Sequence, residues 1–172
     1  MPFFSRCPTI AFPQIPLFLG LLTLTAGAAL AVEQDVRLVP QITAGTAGLE
    51  PGLALEWRGL DLAPVIIRPE IFVSEDGHPG GGGAILYDLT SVAGLPSRHA
   101  LAVGPRAVYH HSDESGWEVD GMVTWGYSLT NAIDKPSRHV IGVLGALGVV
   151  HDLEHDDSDV GVTGGVFYSF RL

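Results

Sequence analysis

Trp117-Glu-Val-Asp-Gly-Met-Val-Thr-Trp-Gly-Tyr-Ser-Leu129 alternates without a break. Its odd positions are Trp117, Val119, Gly121, Val123, Trp125, Tyr127 and Leu129, and Glu118, Asp120, Met122, Thr124, Gly126 and Ser128 lie between them. A period of two puts the first set on one face of an extended strand and the second on the other. One face is apolar and aromatic, the other polar and small. The C-terminus follows the same rule: Val160, Val162, Gly164, Val166, Tyr168, Phe170 and Leu172 against Asp159, Gly161, Thr163, Gly165, Phe167, Ser169 and Arg171. Leu53, Leu55 and Trp57 alternate with Ala54, Glu56 and Arg58, and Val65 to Val73 repeats the pattern.

Working outward from these ribbons, eight strands are predicted at roughly 35–46, 50–59, 64–74, 82–91, 99–111, 117–130, 138–151 and 159–172. Asp76-Gly77, Pro79-Gly80 and Lys135-Pro136-Ser137 mark turns between them. Past Ala31, no apolar set recurs at i, i+3, i+4, i+7 for long enough to make a helix. Gly80 to Gly83 lacks the Lys-Ser/Thr and the helix of a phosphate cradle, and reads as a flexible return into the fourth strand.

The first 31 residues read as an address. Residues 1–16 carry one charge, Arg6; an apolar run from Leu17 follows and ends in Ala29-Leu30-Ala31, the small-x-small signature of signal peptidase. The run is about 15 residues, short of the ~20 of a spanning helix. The expected organisation is a signal peptide at 1–31 and one barrel domain at 32–172. Cys7 is the only cysteine of the 172 residues, so no disulfide framework exists. A formal charge of −10 with nine Lys+Arg excludes nucleic acid as a partner, because phosphate binding needs cations.

Alternating strands fit a soluble barrel with apolar residues inside, such as a lipocalin-like carrier, or a membrane barrel with them outside. The polar face decides for the second. It carries Asp35, Arg37, Glu56, Arg58, Arg68, Glu70, Asp88, Arg106, Glu118, Asp120 and Arg171, acids and arginines in similar number. Such a matched set suits a closed lumen, where an unpaired buried charge costs several kcal/mol. Glu56, Arg58, Arg68, Glu70, Asp88, Arg106, Glu118 and Asp120 are the expected lumen ion-pair network. Trp57, Tyr87, Tyr109, Trp117, Trp125, Tyr127, Tyr168 and Phe170 share the apolar face, as the aromatic girdles of a barrel in lipid do. Eight strands is the smallest count for bacterial barrels of this kind, and such a barrel is filled by its own side chains.

The last strand resembles a known signal. Thr163-x-Gly165-x-x-Tyr168-x-Phe170 is similar to the C-terminal assembly signal of bacterial outer-membrane barrels, although Arg171-Leu172 extends beyond the final aromatic. The chain after Ala31 resembles the small eight-stranded barrels of the OmpA transmembrane-domain and OmpX type, with a weaker likeness to the YfaZ-like outer-membrane proteins. The resemblance implies an eight-stranded antiparallel up-and-down transmembrane β-barrel in a Gram-negative outer membrane. It implies outer-membrane lipid, lipopolysaccharide and the barrel assembly machinery as partners, a monomeric state and no cofactor.

Two clusters carry candidate chemistry. Lipid A deacylases use a His-x-Ser pair with an acid, and His110-x-Ser112 with Glu114 or Glu118 repeats those residue types. Parity with Arg106 places His110 and Ser112 on the lumen side, which counts against that enzyme. His151, Asp152, Glu154, His155, Asp156, Asp157 and Asp159 form the densest acidic patch. Of these, His151, Asp152, His155, Asp156 and Asp157 are candidate ligands for a weakly held divalent cation, although their order is not that of an EF-hand. Pro-Ser-Arg-His occurs twice, at 96–99 and 136–139, each copy preceding an apolar, glycine-containing strand.

Overall fold

The computed structural model describes residues 35–46, 48–58, 64–111, 115–129, 139–153, 155 and 157–172. The expected signal peptide therefore lies outside the described residues, as do Ser112, Glu114, Glu154 and Asp156. Eight strands follow in chain order: β1 Asp35–Gly45, β2 Gly48–Arg58, β3 Val65–Val73, β4 Pro79–Asp88, β5 His99–His110, β6 Gly116–Ser128, β7 His139–Asp152 and β8 Asp157–Arg171. Each pairs antiparallel with its sequence neighbours, and β8 returns to β1, so the sheet closes as an up-and-down barrel. The predicted all-β, eight-stranded antiparallel barrel is the observed fold.

The register fixes the geometry. Asp35 faces Arg58, Ile66 faces Leu86, Gly104 faces Met122, Met122 faces Ala146, Ala146 faces Thr163 and Thr163 faces Gly45. A circuit along these hydrogen-bonded rows that leaves β1 at Asp35 thus returns to it at Gly45, ten residues further on. With about 3.3 Å per residue and about 4.8 Å between strands, that stagger tilts the strands by roughly 40° from the barrel axis.

Closure sorts the two faces. Arg37, Gln41, Thr43, Glu50, Glu56, Arg68, Glu70, Arg106, Glu118, Asp120, Thr124 and Thr163 are buried in the lumen, with Val39, Ile66, Leu86, Met122, Leu144 and Phe167 packed among them. Outside, Ile85 at 59%, Val119 at 59%, Leu147 at 63% and Val160 at 60% exposure show what the wall presents to its surroundings. The barrel is inside-out relative to a soluble protein. Strand β7 is apolar on both faces, with Val140, Leu144 and Ala146 inside and Ile141, Val143, Leu147 and Val149 outside.

One strand differs from its sequence reading. Gly80 to Gly83 is no flexible return: it pairs with Phe72 to Pro69 on one side and with His110 to Ala107 on the other. Residues 89–91, predicted as strand, leave the ladder: Leu89 N–H still donates to the Leu101 carbonyl (2.8 Å) and Thr90 Oγ1 accepts from Leu101 N–H (3.0 Å), but Thr90 N–H donates to Asp88 Oδ1 (2.9 Å) and Ala93 N–H to the Leu89 carbonyl (2.8 Å), which begins a turn. A run of glycines shows no alternation to read, but the site needs it. A Cβ on Gly80 would stand 2.2 Å from the Phe72 ring, and one on Gly82 would stand 2.1 Å from the Ala107 carbonyl oxygen. Glycine also serves the β3–β4 connection, where Gly77 has φ 84°, a left-handed conformation that costs a residue with a Cβ.

Candidate functional site

The lumen holds a connected set of polar side chains, contributed by β1 to β6 and, through Thr163, by β8. At the end carrying Asp35 and Arg171, Arg58 Nη1 bonds Asp88 Oδ2 (3.2 Å) and its Nη2 bonds Glu56 Oε2 (2.9 Å). Glu56 Oε1 takes a second bond from Arg68 Nη1 at 2.5 Å, and Arg68 Nη2 donates to Gln41 Oε1. Gln41 Nε2 donates to Glu70 Oε2 (2.9 Å), whose other oxygen accepts from Arg106 Nε. Arg106 Nη1 donates to Asp120 Oδ2 (2.7 Å) and lies 3.8 Å from Glu118 Oε2. The chain thus runs from β4 through β2, β3, β1 and β5 to β6.

These contacts follow from the register. Charged residues two apart on a strand face the same side, and the stagger brings each guanidinium alongside carboxylates of neighbouring strands. The Arg68 side chain has no exposed surface and that of Glu56 only 3%. All eight residues of the expected lumen network lie on this path, while Asp88 and Arg58 sit at its partly exposed end. Gln41 and Glu50 were missed by the sequence reading. Gln41 carries no charge to attract notice, and Glu50 shares the parity of Glu56 on β2 but stands alone at the strand's start, where only the stagger of the barrel shows that it meets His110.

At the opposite end the path finishes in a triad. His110 Nδ1 lies 3.0 Å from Glu50 Oε1 and Nε2 lies 3.1 Å from Glu118 Oε2. Thr163 Oγ1 donates to Glu118 Oε1 (3.3 Å). The imidazole is only 11% exposed and tilts against the Phe72 ring, 5.0 Å between centroids. Above it opens a cavity of about 410 Å³, lined in part by Ser74, Asp76, His78, His111, Asp152 and Asp159. The far end of the lumen holds a cavity of only about 20 Å³ beside Arg37, Glu56 and Phe167.

His110 is thus bracketed by two carboxylates, and each ring nitrogen faces one of them. A proton on each nitrogen satisfies both neighbours, whereas a neutral ring donates to one alone. A His110→Phe variant keeps a ring of similar shape but leaves an apolar edge against Glu50 Oε1 and Glu118 Oε2, with Thr163 the remaining donor to Glu118. Its unfolding free energy in urea, followed by tryptophan fluorescence in micelles, is expected to fall by about 1–3 kcal/mol. An unchanged midpoint would mean that the ring only fills space.

The other candidates are more dispersed. Glu118 belongs to the triad, while Ser112 and Glu114 lie outside the described residues. In the acidic patch, His151 Nδ1 is 3.0 Å from Ser158 Oγ, and His155 Nδ1 is 2.7 Å from Asp152 Oδ2. Asp157 Oδ1 accepts the N–H of Ser158 (2.8 Å), and Asp156 lies outside the described residues. Among the described residues, no three His, Asp or Glu side chains converge as a metal site. In β8, Thr163 points inward and Tyr168 outward. A Cβ on Gly165 would stand 2.5 Å from the Ile42 carbonyl oxygen of β1, at the seam. Arg171 Nε lies 3.5 Å from Asp35 Oδ1, and Leu172 N–H donates to the Val36 carbonyl (2.9 Å), so the two residues past Phe170 still pair with β1.

Fold and faces together define a closed, eight-stranded, up-and-down barrel with a charged, side-chain-filled interior and an apolar wall. No protein-family model matches the chain, and no curated protein matches it. Among solved structures it is similar to the crystal structure of Neisserial surface protein A (NspA), with a TM-score of 0.50 over 81% of this chain and 96% of that one, at 7% sequence identity. At that identity the likeness is one of fold.

Proposed function

We propose that the chain is an outer-membrane β-barrel protein with a structural or surface-interaction role, working as a monomer and exported through its N-terminal segment. One observation carries the reading: the aliphatic and aromatic side chains face outward from a closed barrel whose charges are paired inside. In water that arrangement exposes apolar surface at great cost, and in a bilayer it is the low-energy one. The dimensions agree. On β6, Trp117 and Tyr127 lie ten residue steps apart, which at the tilt above rises about 25 Å, the height of the apolar band of such barrels.

The ends of the chain and the β2–β3, β4–β5 and β6–β7 connections face the periplasm in this reading. The His- and Asp-bearing connections face outward, towards lipopolysaccharide and whatever divalent cations screen its phosphates. Thr163, Gly165, Tyr168 and Phe170 serve as the contact for the barrel assembly machinery. The network through Arg68 and Arg106 obstructs the lumen, so solutes do not diffuse through it. The interior argues equally against a lipocalin-like carrier, which needs an apolar pocket. An acyl hydrolase needs a hydroxyl beside His110, and both of its ring nitrogens face carboxylates. The protein has no catalytic role in this reading.

Fractionation tests it. The protein should sediment with outer membranes and resist carbonate extraction, and its unheated electrophoretic band should shift on boiling. Recovery in the soluble fraction without detergent would refute the assignment.

A further inference from the structure

The two Pro-Ser-Arg-His copies are left unexplained by a barrel that merely spans lipid. Their histidines, His99 and His139, begin β5 and β7 at the same end of the barrel and face outward, each against an aromatic of the strand that follows. The His99 ring is 5.5 Å from Trp125 and 5.4 Å from Tyr127. The His139 ring stacks on Tyr168 at 5.9 Å, with Nδ1 2.5 Å from the Tyr168 hydroxyl. Arg98, exposed beside the first of these, donates from Nη1 to the Tyr127 hydroxyl (3.2 Å).

We propose that Arg98 with His99 and Tyr127 forms a headgroup site for a net-anionic glycerophospholipid, of the phosphatidylglycerol kind, with His139 and Tyr168 forming a lesser counterpart. The inference rests on the membrane reading above and specifies a lipid for it. A guanidinium carries five donors in a plane, and the bond to Tyr127 holds that plane at the edge of the apolar wall. A phosphate monoanion fits such a fork through paired hydrogen bonds. The acyl chains of the same lipid lie down the wall below it, along Trp125 and Val123, which are 39% and 47% exposed.

Charge favours this end and this headgroup. Residues 73–80, 110–117 and 151–159, the connections at the other end, contain carboxylates and histidines and no Lys or Arg. An ethanolamine headgroup would bring its ammonium towards Arg98, whereas a glycerol headgroup carries no opposing cation.

Native mass spectrometry of the full barrel released from micelles, with equimolar phosphatidylglycerol and phosphatidylethanolamine, tests the assignment. Wild type should retain the anionic lipid in about fivefold excess, the ratio that corresponds to ~1 kcal/mol for one cation at an anionic surface. Arg98→Gln should bring that ratio close to one and Tyr127→Phe should lower it partway. Arg98 is exposed, so both variants should keep the heat-sensitive band of the folded barrel. Equal retention of the two lipids by wild type, or an unchanged ratio in Arg98→Gln, overturns the site while leaving the barrel in its membrane. Failure of wild type to enter bilayers of any composition would overturn the membrane reading, and this site with it.

Discussion

Replacing Arg106 by methionine should destabilise the barrel by about 3–5 kcal/mol, the usual penalty for removing one partner of a buried ion pair. Arg106 has 3% side-chain exposure and is shared among Glu70, Asp120 and Glu118. Glu118 keeps His110 and Thr163, but Glu70 and Asp120 lose their guanidinium. Those two carboxylates would then sit in the lumen with charge that neither water nor protein balances. Urea titration in micelles should show the midpoint falling, and the unheated folded band should weaken. Arg106→Met combined with Glu70→Gln and Asp120→Asn should recover more than half of the loss, because no carboxylate is then left beside the missing guanidinium. A single variant within about 1 kcal/mol of wild type would show that lumen water, not Arg106, satisfies the carboxylates.

The second large effect concerns glycine on the inner face of β7. A Cβ on Gly148 would stand 2.1 Å from the Val119 carbonyl oxygen and 2.4 Å from the Asp120 Cα, so alanine there forces β6 and β7 apart. Overpacking of this kind costs about 1–3 kcal/mol, and here it would also disturb the strand that carries Glu118 and Asp120. Gly164 in β8 points the other way and its Cβ would meet nothing within 4 Å. Gly164→Ala should therefore be neutral or stabilising by up to about 1 kcal/mol, through the reduced freedom of the unfolded chain. The two variants differ by one methyl each, so side-by-side unfolding curves isolate its placement. Equal midpoints would show that the strands yield at Gly148 without cost.

What the sequence made legible is what period two encodes locally. Trp117 to Leu129 announces a strand and its two faces, because neighbouring residues of a strand point oppositely whatever the sheet does. The count of eight and the shared face of Arg68 and Glu70 follow from that rule, and the balance of arginines and carboxylates on that face is what turns it inward. The stagger does not. Which carboxylate meets Arg106 depends on how β3, β5 and β6 are offset, a property of closure that no single strand contains. Gly80 to Gly83 hid a strand for a related reason: residues without side chains have no alternation, although their lack of side chains is what lets Phe72 and β5 approach. The triad at His110 was half visible. Its parity followed from Arg106, whereas Glu50 reaches it only because β1, β2 and the return of β8 bring distant segments together.

Strand β7 has a consequence before the barrel exists. Val140 to Val150 contains no charge and no proline, and with both of its faces apolar it has no side that water would protect. In the unfolded chain, before β6 and β8 pair with it, this ribbon is prone to pair with the same ribbon of another copy. Shielding of these eleven residues until β6 and β8 flank them is therefore what keeps separate copies apart.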